Sequence, residues 1–139
     1  MKVLLLICSV ALLHSTVCAE MKPQGGDPVF RIYGSGRGGG TGTSLYMKTD
    51  QPLMLISTVA DVQVSKDGKT VRLTMTEADA RKFAEITRQH PNEMLILVGR
   101  GSALQAIQVG SPVTNGVLEF RYPQEHLAAD YVKYRFRLK

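Results

Sequence analysis

Beyond its opening residues this chain contains no cysteine, and it contains no tryptophan at all. Cys8 and Cys18 both fall within residues 1–19, so a disulfide, a thiol nucleophile or a cysteine-ligated metal is not expected in the rest. Histidine is scarce: beyond His14 in the opening stretch there are only His90 and His126, with no HxH or HExxH spacing. That pattern argues against a transition-metal centre, and no metal or cofactor is expected. Neither sign of charge dominates strongly. The formal net charge is +5 over 139 residues, mildly basic, which favours loose contact with anionic surfaces without naming a partner. After the opening no apolar run is long enough to cross a bilayer.

What the chain does have begins with a leader. Met1 and Lys2 give a positive start, 3–13 (VLLLICSVALL) is almost unbroken apolar sequence, and Val17 and Ala19 fit the small-residue rule for cleavage before Glu20. Residues 1–19 therefore read as a signal peptide and the protein as exported, periplasmic or secreted. Lipidation at Cys18 is the rival reading, but Ser15, Thr16 and Val17 lack the leucine and small residue expected ahead of a lipidated cysteine. Residues 20–27 (EMKPQGGD) are polar and rich in Gly and Pro, and read as a disordered lead-in to one domain over 28–139.

Within that domain the hydrophobic period sets the elements. Residues 28–33 (PVFRIY) alternate as a half-buried strand does, and 34–43 form a glycine-rich loop, followed by a short strand over 44–47. Residues 53–56 are a buried-looking run, and Val59, Val62 and Val64 lead to a hairpin turn at Asp67–Gly68. Val71, Leu73 and Met75 then share one face of a strand. The period changes at Thr76, where Thr76 and Asp79 approximate a capping box, and Ala80, Phe83, Ala84 and Thr87 recur at helical spacing up to Pro91. Residues 94–98 (MLILV) predict a central strand covered on both faces. Extended pieces follow over 103–109 and 116–120. Pro123 opens a last helix carrying Leu127, Ala128, Tyr131 and Val132, and the alternating tail 134–139 reads equally as a strand. The expected fold class is α+β, with two helices packed on a mainly antiparallel sheet.

These residues bear on four chemistries. Gly34, Gly36 and Gly39 fit the G-x-G-x-x-G spacing, but they run into a strand-like segment rather than a helix, and no Gly-Lys-Ser/Thr is present. A dinucleotide site needs the helix N-terminus, so the run reads as a flexible loop and not a nucleotide site. Ser35, Ser102 and Ser111 neighbour glycines but form no nucleophile elbow; with His90 and His126 at helix ends, they make no catalytic set. Glu77, Asp79 and Glu85 lie among Arg81, Lys82 and Arg88 as a solvated helix face does, and Glu119 and Glu125 are isolated. A distant histidine–carboxylate pair would be the enzyme alternative. Lys133, Arg135, Arg137 and Lys139 interleave with Tyr131, Tyr134 and Phe136, which reads as a charged edge or helix end, with anionic-surface binding as the alternative and no nucleic acid expected.

The order of features over 46–134 resembles the head of the first periplasmic domain of SecD, the protein-export membrane subunit. Leu45-Tyr46-Met47, Pro52-Leu53-Met54 and Asp61-Val62 match the family's lead. Ala80, Phe83, Ala84 and Thr87 match its helix, 95–99 its apolar strand and turn, and 117–120 with 125–129 its final strand and helix. Val29-Phe30-Arg31-Ile32 is similar to its short opening strand. The family's proline after the glycine turn is replaced by the stretch 103–106. The resemblance implies a non-enzymatic module that contacts polypeptide or an envelope protein, through a sheet edge or the groove beside the helix over 76–89. No later segment matches the family's membrane helices, so their proton-driven step is not expected here.

Overall fold

The computed structural model describes residues 20–25, 28–37, 45–121 and 127–139. The signal-peptide reading of 1–19, together with Gly39, Pro123, Glu125 and His126, lies outside the described residues. The elements are β1 (Phe30–Arg37), β2 (Leu45–Met47), β3 (Met54–Ile56), β4 (Val59–Val64), β5 (Thr70–Met75), α1 (Glu77–Gln89), β6 (Met94–Gly99), β7 (Ser102–Gln108), β8 (Val117–Arg121) and α2 (Leu127–Phe136). This is an α+β fold in which every strand pair is antiparallel.

The strands divide into two sheets rather than one. The larger has the order β2-β1-β6-β7, with β3 paired to the first half of β1; the smaller has the order β4-β5-β8. Because paired residues in an antiparallel ladder share a face, the register fixes both cores. In the larger sheet Ile32 opposes Leu97 and Met54, and Phe30 opposes Ile56. In the smaller, Leu73 lies between Val62 and Leu118, and Val71 between Val64 and Phe120. The two inner faces meet in one cluster, joined by an edge-to-face contact between Phe30 and Phe120 with centroids 5.8 Å apart.

Helix α1 connects the sheets and seals the core with Phe83, Ile86 and Thr87. Thr76 caps it, its hydroxyl accepting from the Asp79 amide at 3.3 Å. Thr87 does two jobs: its hydroxyl donates to the Ala84 carbonyl at 3.0 Å and accepts from the Val113 amide at 2.9 Å, tying the β7–β8 loop to the helix. That loop ends at Gly116, where φ is +63° and an added Cβ would sit 2.6 Å from the Ala80 Cβ, so only glycine fits.

The structure departs from two expectations and decides between two readings of the tail. The glycine loop does not begin at Gly34, because β1 runs on through Arg37 and pairs Gly36 with Tyr46. The Tyr46 ring lies across Gly36, where a Cβ would come within 2.4 Å of it; glycine here makes room for an aromatic rather than supplying flexibility. The lead-in is tied down over its described part: Met21 and Val59 exchange backbone bonds of 2.7 and 3.2 Å, and the Gln24 amide donates to the Arg135 carbonyl at 2.7 Å. The tail stays helical to Phe136. It then closes with Arg137 at φ +53° and the Leu138 amide bonded to the Lys133 carbonyl at 3.0 Å, a Schellman-type stop that turns Leu138 toward the core.

Candidate functional site

The described residues that the sequence offers for chemistry are held apart or locally neutralised. His90 caps the end of α1, and its Nδ1 lies 2.8 Å from Glu93 Oε2, three residues on, at the protein surface. Ser35 does not meet that histidine; its hydroxyl donates to the Met94 carbonyl at 2.5 Å. Ser102 and Ser111 are exposed. Glu77 pairs with Arg81 and Glu85 with Arg88, so this flank of α1 is an ion-paired surface. Glu119 is exposed on β8. Burial raises the Asp79 carboxyl above its usual range, opposed by Lys82 and by the Thr76 hydroxyl. No group of three metal-ligating side chains occurs among the described residues.

The basic tail is partly consumed by structure. The Arg135 guanidinium lies 5.6 Å from the Tyr131 ring centroid, and its Nη1 donates to the Tyr131 hydroxyl at 2.9 Å, which in turn donates to the Val29 carbonyl at 3.2 Å. With Arg100, Asp130 and Tyr134 these two residues line a cleft of about 430 Å³ beside the β6–β7 turn.

The larger sheet is the unusual surface. Its outer face is read directly from the register in three rows: Leu55, Arg31, Val98 and Ala103; Tyr33, Ile96 and Ala106; Met47, Ser35, Met94 and Gln108. Arg31 is the charge within these rows, and the exposed Arg37 closes the same face at the end of β1. Tyr33, Ile96, Met94 and Met47 are half-buried, Ala103 and Ala106 are exposed, and Leu55 keeps 46% of its surface in water. The outer face of an antiparallel sheet is ordinarily polar, and contiguous exposed apolar surface marks an interaction site. The helices pack elsewhere, α1 on β3 and β5 and α2 on β4. The expectation that β6 is central holds, since it lies between β1 and β7. The expectation that both its faces are covered does not, because Met94 and Ile96 remain half-exposed.

The chain is similar to solved structures of SecDF. One, described as "a membrane component SecDF that enhances protein export", superposes with a TM-score of 0.58 at 21% identity, over 80% of this chain and 62% of that one. Another, SecDF in its "Super-membrane-facing form", gives 0.56 at 22% identity, over 79% of this chain and 18% of that one. The fold is SecD-like. This chain thus spans less than two thirds of the first SecDF chain and less than a fifth of the second. No family model matches its sequence, and no curated protein matches it in sequence either. No described helix is long and apolar enough to cross a membrane.

The open face of this SecD-like domain escaped sequence reading, although two signals were present. Residues 94–98 are apolar at every position, which fits a strand with two apolar faces but does not say that one stays open. Residues 101–118 contain no charged residue, in a chain that is 21% charged overall, and this run supplies β7 and its loop.

Proposed function

We propose that this protein is a non-enzymatic, exported SecD-like module that contacts polypeptide through the outer face of its larger sheet. One observation carries the reading: a face spanning four strands that presents Tyr33, Leu55, Met94, Ile96 and Ala106, with Arg31 beside them and Arg37 at the far end of β1 as its charges. Such a face recognises apolar side chains without fixing their order, as a contact with many unfolded sequences requires. The SecDF likeness supports a connection with protein export, and the leader-like opening sequence supports placement outside the cytoplasm. The ion-paired flank of α1 offers no comparable apolar surface, so the sheet rather than the helix groove is the contact region.

The test uses a chemically unfolded, alkylated polypeptide as probe and compares the wild-type protein with Ile96→Asp on the open face and Gln63→Asp on the smaller sheet. Binding by the wild type and by Gln63→Asp, weakened about tenfold or more in Ile96→Asp, is the expected pattern, since a charge buried against apolar side chains costs well over 1 kcal/mol. Equal binding by all three proteins, or binding by none, contradicts the proposal.

A further inference from the structure

The larger sheet ends at β7, and among the described residues no strand pairs with its outer edge. Val109 follows the strand and bonds inward, its amide to the Glu93 carbonyl at 3.0 Å and its carbonyl to the Asn92 amide at 2.9 Å. Antiparallel ladders alternate, so the backbone groups of Gln108 and Ala106 turn away from β6 toward the edge. The side chains agree: the Gln105 amide donates to the Ala106 carbonyl at 3.1 Å, a same-strand substitute for the donor that a neighbouring strand would bring. Toward the other end the register slips between Leu97 and Val98, leaving Leu104 unpaired and turned into the core, so the regular edge is the stretch 105–108.

The other long edges are protected. β8 turns Glu119 and Arg121 to solvent, while β4 carries Asp61, is bulged at Ala60 and has Met21 bonded across Val59. β7 is bulged at Leu104, but its stretch 105–108 has none of these guards: no charge, no proline, and the small exposed Ala106 on its outer side. We infer that the second half of β7 adds a short, uncharged, extended polypeptide segment as a sixth strand of the larger sheet, held by backbone hydrogen bonds at Ala106 and Gln108. The inference rests on the reading of the outer face as a polypeptide contact, because an added strand would lay its alternate side chains beside Ala106 and extend that face. An uncharged segment is the complement, since a carboxylate or ammonium placed along residues 101–118 would lose water and find no opposite charge there.

The probe is a capped heptapeptide alternating valine and threonine, added to the full chain and followed by amide hydrogen exchange and by affinity. Exchange at Ala106 and Gln108 slows about tenfold on binding if those groups are bonded by the added strand. Methylating the peptide's bonding amides weakens binding about fivefold for each bond removed. Ala106→Pro does the same from the protein side, and it spares the β6–β7 ladder because the amide it removes faces outward. Binding that survives both changes but is lost in Ile96→Asp overturns strand addition and leaves the side-chain contact standing. Absence of binding by the wild type overturns both. Concentration-dependent protection of Ala106 and Gln108 without peptide overturns the peptide reading in favour of a second copy of this chain.

Discussion

The two sheets share a core yet differ on the sides they turn outward. In the smaller sheet the outer rows are Gln63, Arg72 and Glu119, then Asp61, Thr74 and Val117, with Thr70 opposite Arg121. Arg72 and Glu119 stand directly opposite each other, a favourable cross-strand pairing of opposite charges. That is the ordinary solution, apolar inward and polar outward. In the larger sheet the equivalent rows are mostly apolar, with Ser35 and Gln108 as neutral polar residues and only Arg31 and Arg37 charged. Both sheets obtain stability from their inner faces, so the outer apolar rows are not required for the core. Their composition is therefore better explained by contact with another molecule.

Substitutions test the shared core and the differing outer faces with effects of several sizes. The largest effects belong to the shared core. Leu97→Ala in the larger sheet and Leu73→Ala in the smaller, both fully buried, should each lower the unfolding free energy by about 2–5 kcal/mol in urea denaturation. A loss confined to one sheet would show that the cores are separate. Next comes Gly116→Ala in the loop joining β7 to β8. Its positive φ and the 2.6 Å approach to Ala80 predict a cost of about 1–3 kcal/mol, read as a lower melting temperature. Thr76→Ala removes the cap of the helix connecting the two sheets and should cost about 1 kcal/mol in the same measurement.

The outer faces should respond differently. Ile96→Thr and the converse change Thr74→Ile should each move stability by less than about 1 kcal/mol. Only the first should weaken capture of an unfolded polypeptide, and equal weakening by both would remove the distinction between the sheets. The smallest effect is on acidity. In the β4–β5 turn the Ser65 hydroxyl donates to the Asp67 carboxylate, and the Lys69 amide adds a second bond, holding that carboxyl below its usual range. A depressed carboxylate stabilises the turn above its unfolded-state value and loses that contribution as pH falls through the folded value. NMR titration should show the Asp67 turn loosening in acid while the amides of the uncharged β7 stay unchanged, and Asp67→Asn should abolish the transition.

Much of the frame was legible in the sequence. The β4–β5 hairpin followed from Val62, Val64, Val71 and Leu73 around Asp67–Gly68, and α1 from the change of period at Thr76. The SecD likeness was legible too, because it rests on packing positions such as Ala80, Phe83 and Leu95 that recur with spacing. The division into two sheets was not, since alternation fixes which side chains share a face but not which strands pair. Gly36 read as loop because its reason is a ring from another strand, Tyr46. The helical end at Tyr134 and Phe136 defeated an alternating pattern, because Val132 and Phe136 are buried while Tyr134 between them is exposed, which a helix allows and the two-residue period of a strand does not. The open face required the register of four strands, and no single strand carries that information.

Contact between polypeptide and the outer face of the larger sheet can be read by placing a photoreactive amino acid at position 96 or at position 72 and illuminating with an unfolded, alkylated polypeptide present. Crosslinking from position 96 and not from position 72 is the predicted result. Equal yields from both positions, or a yield from position 72 alone, would contradict it.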